Sequence, residues 1–455
     1  MENIWNRFLS FEARHNLFNL TDEKGIYIWD IVRFDIYIDI LWGNNPTITN
    51  KTRKKRNYLH LFKAPLYYFR SLFVKSDYLF FLASRNKDGE KLIDKNAYNS
   101  IKQCLSVKKK IIGIESYADC FSSDLKECGF QLLLPSLPLY IISKILKKQN
   151  YNFDPILSLV KTEFPESKID NSYLNSLYHL FYTQRRFYRF LLKRWGIKKT
   201  FLTQNGIQKG LIAACHDLNI PVYEFQHGIV DQGHIAYSYP SDNITNVYLP
   251  NKIVALSDFW FKDCILPFAC KTISIGNDYF VPNKLESPND FFQRKGKILV
   301  VSADVFGIEL ANFIKQCIVD SILKNYKFYF KLHPNQFNEY NYYSTLFKDY
   351  NNVIIIQNEK DIPTLIGETE AMLTIQSTAV YEGLQKGIST YILKKSSYMR
   401  QAHLFKLPNV FLIDNVSDFK NQIVRQSSSQ ELLKNTPQFF IPFDEILFRR
   451  EFLDE

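Results

Sequence analysis

Short apolar runs that end in polar residues or glycine alternate with stretches of helical periodicity along most of this chain. In the stretch 201–228, a strand at 201–203 precedes a helical stretch at 207–217, and a second strand follows at 221–225. The same pattern predicts further strands at 77–83, 109–113, 253–256, 272–275, 297–302, 327–332, 352–356, 371–375 and 389–393. Strands that alternate with helices in this way form parallel sheets, so the pattern predicts an α/β fold.

A polar stretch at 281–295, which contains Pro282 and Pro288, separates two series of strands. We interpret this stretch as a linker and expect two domains, 1–285 and 286–455. The chain of 455 residues is long enough for two or three ordinary domains.

The chain is basic, with a formal net charge of +11. This favours an anionic partner, such as nucleic acid, an acidic membrane or a phosphorylated substrate, but lysines that only keep an aromatic-rich surface soluble explain it equally well. The densest basic run, at 51–56, is followed by aromatic residues up to position 73. It predicts either a solvated loop before a buried helix or a contact with anionic lipid, and it lacks a nucleic-acid-binding motif. A long helix predicted at 173–194 is also basic in its later part.

The cysteines and apolar runs indicate the cellular compartment. The seven cysteines form no close recurring pairs, which indicates neither a zinc framework nor a disulfide framework and favours a reducing compartment. The N-terminus lacks the pattern of a signal peptide, and the apolar runs at 78–83 and 132–142 are shorter than the ~20 residues that span a bilayer. We therefore expect a cytoplasmic protein, soluble or peripheral at the inner face of the membrane.

A polar turn follows the strand predicted at 371–375. Ser377 and Thr378 stand where that strand ends and a helix begins, so free backbone N–H groups and two hydroxyl groups are expected to suit a phosphate. Glu382 lies one turn further on the same helical face and can accept a hydrogen bond from a ribose hydroxyl. The alternative is plain capping of the helix, with Glu382 in solvent.

A second polar turn follows the strand predicted at 327–332. Lys331 and His333 are expected on the same face of the strand, and Pro334 stops the strand and fixes the turn. A cation or an imidazole donor here can neutralise the charge on a phosphate leaving group.

The loop after the strand at 221–225 supplies the candidates for proton transfer. His227 stands beside Gly228, and a neutral imidazole can accept the proton of an attacking hydroxyl. Glu224 either orients this loop or is itself the base. A structural histidine held by the glycine turn is the alternative. Weaker candidates are Asp231, His234 and Asp304.

The motifs of P-loop kinases, dinucleotide oxidoreductases, zinc proteases and α/β hydrolases are absent from the sequence. With these classes disfavoured, the order of the remaining motifs resembles the two-domain GT-B glycosyltransferases of bacterial capsule and lipopolysaccharide assembly. The resemblance covers about residues 201–394 and rests on Gln226-His227-Gly228, His333-Pro334, Ser377-Thr378, Glu382-Gly383 and Gly387. It is most similar to the branch with a His-Pro motif, which includes sialic acid and Kdo transferases that use CMP-sugars and, more distantly, CDP-glycerol polyol-phosphate transferases.

The resemblance implies two Rossmann-like domains that face each other across a cleft, with 1–285 on the acceptor side and 286–455 binding the nucleotide-sugar. It implies that His333, Ser377 and Thr378 hold the donor phosphate, with Glu382 near the ribose, and that His227 lies at the cleft. It aligns no acidic base in the N-terminal half, where Glu115 and Glu224 are candidates. It implies no bound cofactor and no metal, and the sequence offers no Asp-x-Asp motif.

The sequence thus predicts a metal-independent glycosyltransferase that moves a sugar from a nucleotide-sugar to a growing cell-surface glycan, with a glycan or lipid-linked acceptor and no nucleic acid partner. Three alternatives remain open. They are a nucleotide-sugar epimerase of the same fold, a polyol-phosphate transferase, and a non-enzymatic protein that binds a membrane or nucleic acid through the basic run at 51–56.

Overall fold

The structure is a computed structural model, and it describes residues 4–42, 72–83, 86–88, 91–115, 131–133, 136–206, 208–281, 294–303, 306–395, 398–426 and 437–453. The chain forms two compact units. Unit 1 comprises Met1–Tyr279 together with Pro442–Glu455, and unit 2 comprises Phe280–Ile441. We expected the second domain to comprise residues 286–455. In the structure, unit 2 begins at Phe280, and Pro442–Glu455 belong to unit 1.

Unit 1 is built on a seven-stranded sheet in which every neighbouring pair is parallel. Its spatial order is β5-β4-β1-β6-β7-β8-β9, which is the Rossmann order extended by one strand. The strands are β1 (Tyr78–Leu82), β4 (Ile111–Glu115), β5 (Gln131–Leu133), β6 (Lys199–Leu202), β7 (Val222–Phe225), β8 (Lys252–Ala255) and β9 (Lys271–Ser274). A separate antiparallel hairpin is formed by β2 (Asn86–Asp88) and β3 (Lys91–Ile93).

The α-helices of unit 1 lie before, between and after these strands along the chain. They are α1 (Ile4–Arg14), α2 (Ile28–Trp42), α3 (Tyr98–Ser106), α4 (Ser136–Ile145), α5 (Asp154–Glu163), α6 (Asn171–Trp195), α7 (Lys209–His216) and, in the C-terminal segment, α8 (Glu445–Phe448), which continues into a π-helical turn at Arg449–Leu453. Among the described residues, no helix combines the length and the apolar character needed to cross a lipid bilayer.

Stacked aromatic rings fill one face of the unit 1 sheet. The rings of Phe80 and Phe201 stack at 4.6 Å between centroids, and Phe201 stacks on Phe225 at 5.7 Å. Because side chains alternate along a strand, the neighbouring Glu224 of β7 points to the opposite face of the sheet. The C-terminal segment completes this aromatic core with fully buried Phe448 and Phe452.

A buried ion pair joins the first two helices. Arg33 of α2 makes a two-pronged contact with Glu12 of α1, with Nε–Oε1 and Nη2–Oε2 distances of 2.7 and 2.8 Å. The nearby Asp30 instead pairs with Lys209 of α7 at 3.0 Å. The guanidinium also donates to the backbone carbonyl of Ile235, so it ties the N-terminal helices to the loop after β7.

Unit 2 has a six-stranded parallel sheet in the order β12-β11-β10-β13-β14-β15. Its strands are β10 (Lys297–Val301), β11 (Lys327–Lys331), β12 (Val353–Ile356), β13 (Ala371–Thr374), β14 (Ser389–Leu393) and β15 (Val410–Ile413). Its α-helices are, numbered onward, α9 (Gly307–Cys317), α10 (Tyr340–Leu346), α11 (Ile362–Glu368), α12 (Ala379–Gln385) and α13 (Val416–Gln426), with 3₁₀ turns at Leu323–Asn325, Pro334–Glu339 and Tyr398–Leu404.

The two sheets confirm the predicted α/β class with two Rossmann-like units. In each unit the strand order reverses at one point, between β1 and β6 in unit 1 and between β10 and β13 in unit 2. Ligands of such sheets bind outside the carboxyl ends of the strands at this reversal, so the two points locate the candidate sites. The basic run at 51–56, Asp304 and the proline-containing part of the predicted linker lie outside the described residues.

Candidate functional site

In unit 2, two of the predicted motifs meet at the reversal point. His333 follows β11 and Ser377 follows β13, and both strands pair with β10, which ends beside Ser302. Since paired strands lie about 4.8 Å apart, the two motifs are separated by roughly 10 Å at this edge. Thr374 reinforces the junction, because its hydroxyl donates to the carbonyl of Val301 at 2.9 Å. The sheet order thus brings together residues that lie 44 positions apart in the chain.

A buried amide organises the end of β10. The Oε1 of Gln336 accepts hydrogen bonds from the Ser302 hydroxyl at 2.6 Å and from the backbone N–H of His333 at 3.2 Å. Its Nε2 donates to the hydroxyl of Tyr343 at 3.2 Å. The side chain is only 2% exposed, so Gln336 fixes the backbone of the His-Pro turn from inside the unit. No sequence pattern indicated this residue.

The imidazole of His333 is held in one tautomer. Its Nδ1 accepts a hydrogen bond from the backbone N–H of Asn335 at 3.2 Å, so in the neutral ring the proton lies on Nε2. Pro334 begins a 3₁₀ turn at the next position, as the predicted stop of the strand requires. His333 is half-buried and presents an N–H donor, which suits an anionic oxygen.

Lys331 contacts the loop after β12. Its ammonium group donates to the backbone carbonyls of Gln357 and Lys360, the latter at 2.9 Å. Burial lowers the pKa of Lys331, and the carboxylates of Glu359 and Asp361 partly oppose this. The side chain therefore anchors the loop after β12, and its predicted role with His333 as a phosphate-neutralising cation stays a prediction.

The turn after β13 has the geometry of a helix cap. The Oγ of Ser377 accepts a hydrogen bond from the N–H of Ala379 at 3.2 Å, and Thr378 is exposed with no capping bond from its side chain. Glu382 is half-buried on the first turn of α12. This helix has seven residues, so its dipole is small, and any anion at this turn is held mainly by hydroxyl and backbone N–H donors.

A second buried amide supports the Ser377 turn. Gln401 is fully buried, and its Nε2 donates to the carbonyl of Ser377 at 2.7 Å. Its Oε1 has no hydrogen-bond partner among the described residues. Two residues further, the Nε2 of His403 lies 2.8 Å from the hydroxyl of Tyr381. No sequence pattern indicated this segment, because an irregular 3₁₀ stretch has no diagnostic periodicity.

In unit 1, Glu224 lies inside a closed hydrogen-bond network. Its carboxylate accepts from the backbone N–H and the side-chain amide of Asn205 at 3.1 and 2.8 Å, and from the hydroxyl of Tyr237 at 2.6 Å. Burial raises the pKa of Glu224, while these hydrogen bonds oppose the rise. The residue is fully buried, so it orients the loops after β6 and β7, which is one of the two roles expected for it.

The reversal point of unit 1 carries a carboxylate that no sequence pattern indicated. The Oδ2 of Asp94 accepts hydrogen bonds from the N–H of Ala83, after β1, at 2.9 Å and from the hydroxyl of Thr203, after β6, at 2.7 Å. It thereby joins the ends of the two strands between which the order reverses. Asp94 follows the short hairpin β2–β3, which the apolar pattern did not reveal.

His227 is half-buried in the loop after β7. The preceding Gln226 fixes this loop, because its Oε1 accepts from the N–H of Leu256 at 3.0 Å and its Nε2 donates to the carbonyl of Gly228 at 2.9 Å. A small pocket opens beside this loop at the ends of β7, β8 and β9, and Gln226 and Asn277 are among its lining residues. The alternatives Asp231 and His234 belong to the following turn, where the carboxylate of Asp231 accepts from the N–H of Gly233.

The described part of the chain contains no group of three or more His, Cys, Asp or Glu side chains placed to hold a metal ion. Of the predicted residues, the structure brings His333, Pro334, Ser377 and Thr378 to one edge of unit 2, with Glu382 a turn away. His227 and Glu224 lie in unit 1.

No protein-family model matches this sequence, and the comparison with curated proteins gives no match. Among solved structures, the chain is similar to MurG from Acinetobacter baumannii, with a TM-score of 0.46 and 11% identity over 83% of this chain and 100% of that one. It is similar to HepE from Anabaena in complex with UDP and glucose, with a TM-score of 0.46 and 12% identity over 83% and 98% of the two chains. It is also similar to UDP-GlcNAc 2-epimerase from Neisseria meningitidis bound to UDP-GlcNAc, with a TM-score of 0.45 and 12% identity over 83% and 100%.

Proposed function

We propose that this protein is a glycosyltransferase that moves a sugar from a nucleotide-sugar donor to a growing cell-surface glycan. The observation that carries the proposal is the edge of unit 2, where the Nε2–H of His333 and the hydroxyl turn at Ser377 flank the end of β10 at the reversal point of a Rossmann-type sheet. An imidazole N–H and a serine hydroxyl are hydrogen-bond donors of the kind that bind the phosphate of a nucleotide.

In this proposal, His333 stabilises the charge that develops on the leaving phosphate. Hydrogen-bond donors held in place before the reaction lower the barrier because they need no reorganisation as charge appears. Gln336 supplies the preorganisation, since it fixes the backbone N–H of His333 and the hydroxyl of Ser302 at once. The ribose contact of Glu382 and the phosphate contacts of Ser377 and Thr378 belong to the same proposal.

His227 is the proposed base for the acceptor hydroxyl. Glu224 is assigned the positioning role, because its three hydrogen bonds are all internal and its carboxylate is fully buried. The proposed reaction needs no cofactor and no metal. A capsule, O-antigen or lipopolysaccharide acceptor, lipid-linked and presented at the inner face of the membrane, and a CMP-sugar donor are the finer parts of the proposal.

The first test is a thermal-shift screen of the purified protein with CMP, CDP, UDP, GDP and their sugars. A ligand at a hundred times its dissociation constant adds about 2.7 kcal/mol of stability, which is readily measured. We expect one nucleotide to raise the melting temperature of the protein and of the exposed control variant His15→Ala, but not of His333→Ala. An equal shift in His333→Ala would remove the donor-site assignment.

The second test is turnover of the nucleotide-sugar identified by that screen. Consumption of the donor only when an acceptor glycan is present supports the transferase. Conversion of the donor alone to an isomeric sugar nucleotide would identify the protein as an epimerase instead. Transfer of a polyol phosphate would identify it as a polyol-phosphate transferase.

A further inference from the structure

Helix α4 of unit 1 exposes large apolar side chains on its outer face. Tyr140, Ile141 and Ile145 are 61%, 49% and 77% exposed. Their spacing of one and four residues places them together on one side of the helix. Isolated exposed apolar residues are ordinary, but three neighbours on one helical face form a patch that water solvates poorly.

Lysines surround this apolar face. Lys144 lies within it, with its ammonium group 5.5 Å from the centre of the Tyr140 ring, and Lys147 and Lys148 follow in the exposed segment after the helix. The sequence from 128 to 153 contains no aspartate or glutamate. The helix and the segment that follows it are therefore apolar and purely cationic.

Helix α6 extends the surface. This 25-residue helix contains no acidic residue, and its second half exposes Phe190 at 56% together with cationic side chains. The exposed cations are Arg186, Arg189, Lys193 and Arg194. The neighbouring Arg185 is half-buried and pairs with Asp217, so it is not part of the exposed set.

The two helices present their exposed groups on the same side. The Nε2 of His179 in α6 lies 3.0 Å from the carbonyl of Ser143 in α4, which fixes where α4 packs on α6. Phe190 follows His179 by 11 residues, which corresponds to three turns plus about 20° of rotation and about 16 Å along the axis. Phe190 therefore faces the side of α6 on which α4 lies.

We propose that this surface, which we name the α4–α6 surface, docks unit 1 onto an anionic lipid bilayer. Exposed aliphatic and aromatic side chains partition into the interfacial region, while lysine and arginine bind the lipid headgroups. Nucleic acid would satisfy the cations but would leave Ile141 and Ile145 in water. The inference deepens the proposed function by assigning the surface that brings the enzyme to a lipid-linked acceptor, but the binding itself needs neither donor nor acceptor.

The test is flotation of the full chain with vesicles of phosphatidylcholine, with and without about one third phosphatidylglycerol. We expect binding to the anionic vesicles, weakened at about 1 M salt, where the Debye length falls to about 3 Å. Failure to bind the anionic vesicles would overturn the inference without affecting the proposed transfer of a sugar to a water-soluble acceptor.

Matched variants test whether vesicle binding depends on this surface rather than on the overall charge and hydrophobicity of the protein. The variant Ile141→Ser with Ile145→Ser removes apolar area, and Val319→Ser with Ile322→Ser removes comparable exposed residues of unit 2. The variant Lys147→Glu with Lys148→Glu reverses two charges, and Lys348→Glu with Lys406→Glu makes the same change on exposed lysines of unit 2.

We expect each α4 variant to lower the vesicle partition coefficient by roughly tenfold or more, and each unit 2 variant to leave it within about twofold. Equal losses in the paired variants would overturn the assignment to this surface. Binding of duplex DNA or RNA that the isoleucine variant leaves unchanged, without binding to vesicles, would assign the surface to nucleic acid instead.

Discussion

The side chain of Gln336 occupies the space that a side chain at Gly307 would need. A Cβ added to Gly307 would lie 2.1 Å from the Nε2 of Gln336, 2.3 Å from the hydroxyl of Tyr343 and 2.9 Å from the Oγ of Ser302. The glycine at the start of α9 thus permits the amide network that shapes the edge of the candidate donor site.

Substitution of Gly307 by alanine should therefore disturb this edge. We expect Gly307→Ala to lower the free energy of unfolding of unit 2 by about 1–3 kcal/mol, because the network must shift to admit the methyl group. The effect should be read from urea unfolding and from the nucleotide thermal shift. Gly367→Ala is the control, since a Cβ there meets no atom within 4 Å and alanine favours the helix. If the two variants behaved alike, the network would not be rigid.

The network around Glu224 predicts a difference between two substitutions. Glu224→Ala leaves Tyr237 and Asn205 with buried donors, which should cost about 3 kcal/mol or more. Glu224→Gln should cost much less, because the Oδ1 of Asn205 has no hydrogen-bond partner within the described part of the chain and the Asn205 amide can flip to accept from the new amide. Urea unfolding of both variants measures this. Turnover retained in Glu224→Gln would confirm the positioning role, whereas complete loss of turnover in a stable variant would indicate the base.

Glu224 also predicts a pH dependence. Because burial raises its pKa in the folded protein above the unfolded value, the folded state binds more protons than the unfolded state between the two values. The stability contributed by this group is present below about pH 4.3 and is lost as the pH rises towards the folded pKa. We therefore expect the stability difference between the native protein and Glu224→Gln to move in favour of the variant as the pH rises above about 4.3, as measured by urea unfolding.

The buried pair of Glu12 and Arg33 should be strongly coupled. Arg33→Met leaves the carboxylate of Glu12 buried without its cation, which should cost about 3–5 kcal/mol at neutral pH. The double variant Glu12→Leu with Arg33→Met removes both charges and should recover much of that loss. Without Arg33, burial raises the pKa of Glu12, so the defect of the single variant should shrink as the pH falls through the acidic range. A double variant as unstable as the single one would show that packing, rather than charge, dominates.

The C-terminal segment should be required for the stability of unit 1. Phe452 is fully buried against Tyr223, with ring centroids 4.8 Å apart, and its carbonyl accepts a hydrogen bond from Lys199 at 2.8 Å. Phe452→Ala should destabilise unit 1 by about 3–5 kcal/mol. The control Ile446→Ala, at a position 81% exposed in the same segment, should change stability by about 0.5 kcal/mol or less. Thermal unfolding of the full chain distinguishes the two.

The sequence by itself determined the class of fold and the position of most strands. The apolar runs predicted the long strands correctly because a strand buried on both faces is a continuous apolar stretch, as in Tyr78–Leu82 and Lys297–Val301. The polar turns that end β11 and β13 were also visible in the sequence, because a break in an apolar run is a local signal. The paired strands β2 and β3 were missed, since three residues each are too few to show a period.

Only the tertiary structure decided which of these signals belong together. Strand order placed His333 and Ser377 on either side of β10, and periodicity along the chain carries no information about which strands become neighbours. The partners of charged side chains were equally non-local. Arg33 pairs with Glu12 rather than with the nearby Asp30, and Lys331 donates to the loop after β12. Gln336, Gln401 and Asp94 had no sequence signal because a buried polar side chain is defined by the donors and acceptors that folding brings to it, and these come from distant parts of the chain.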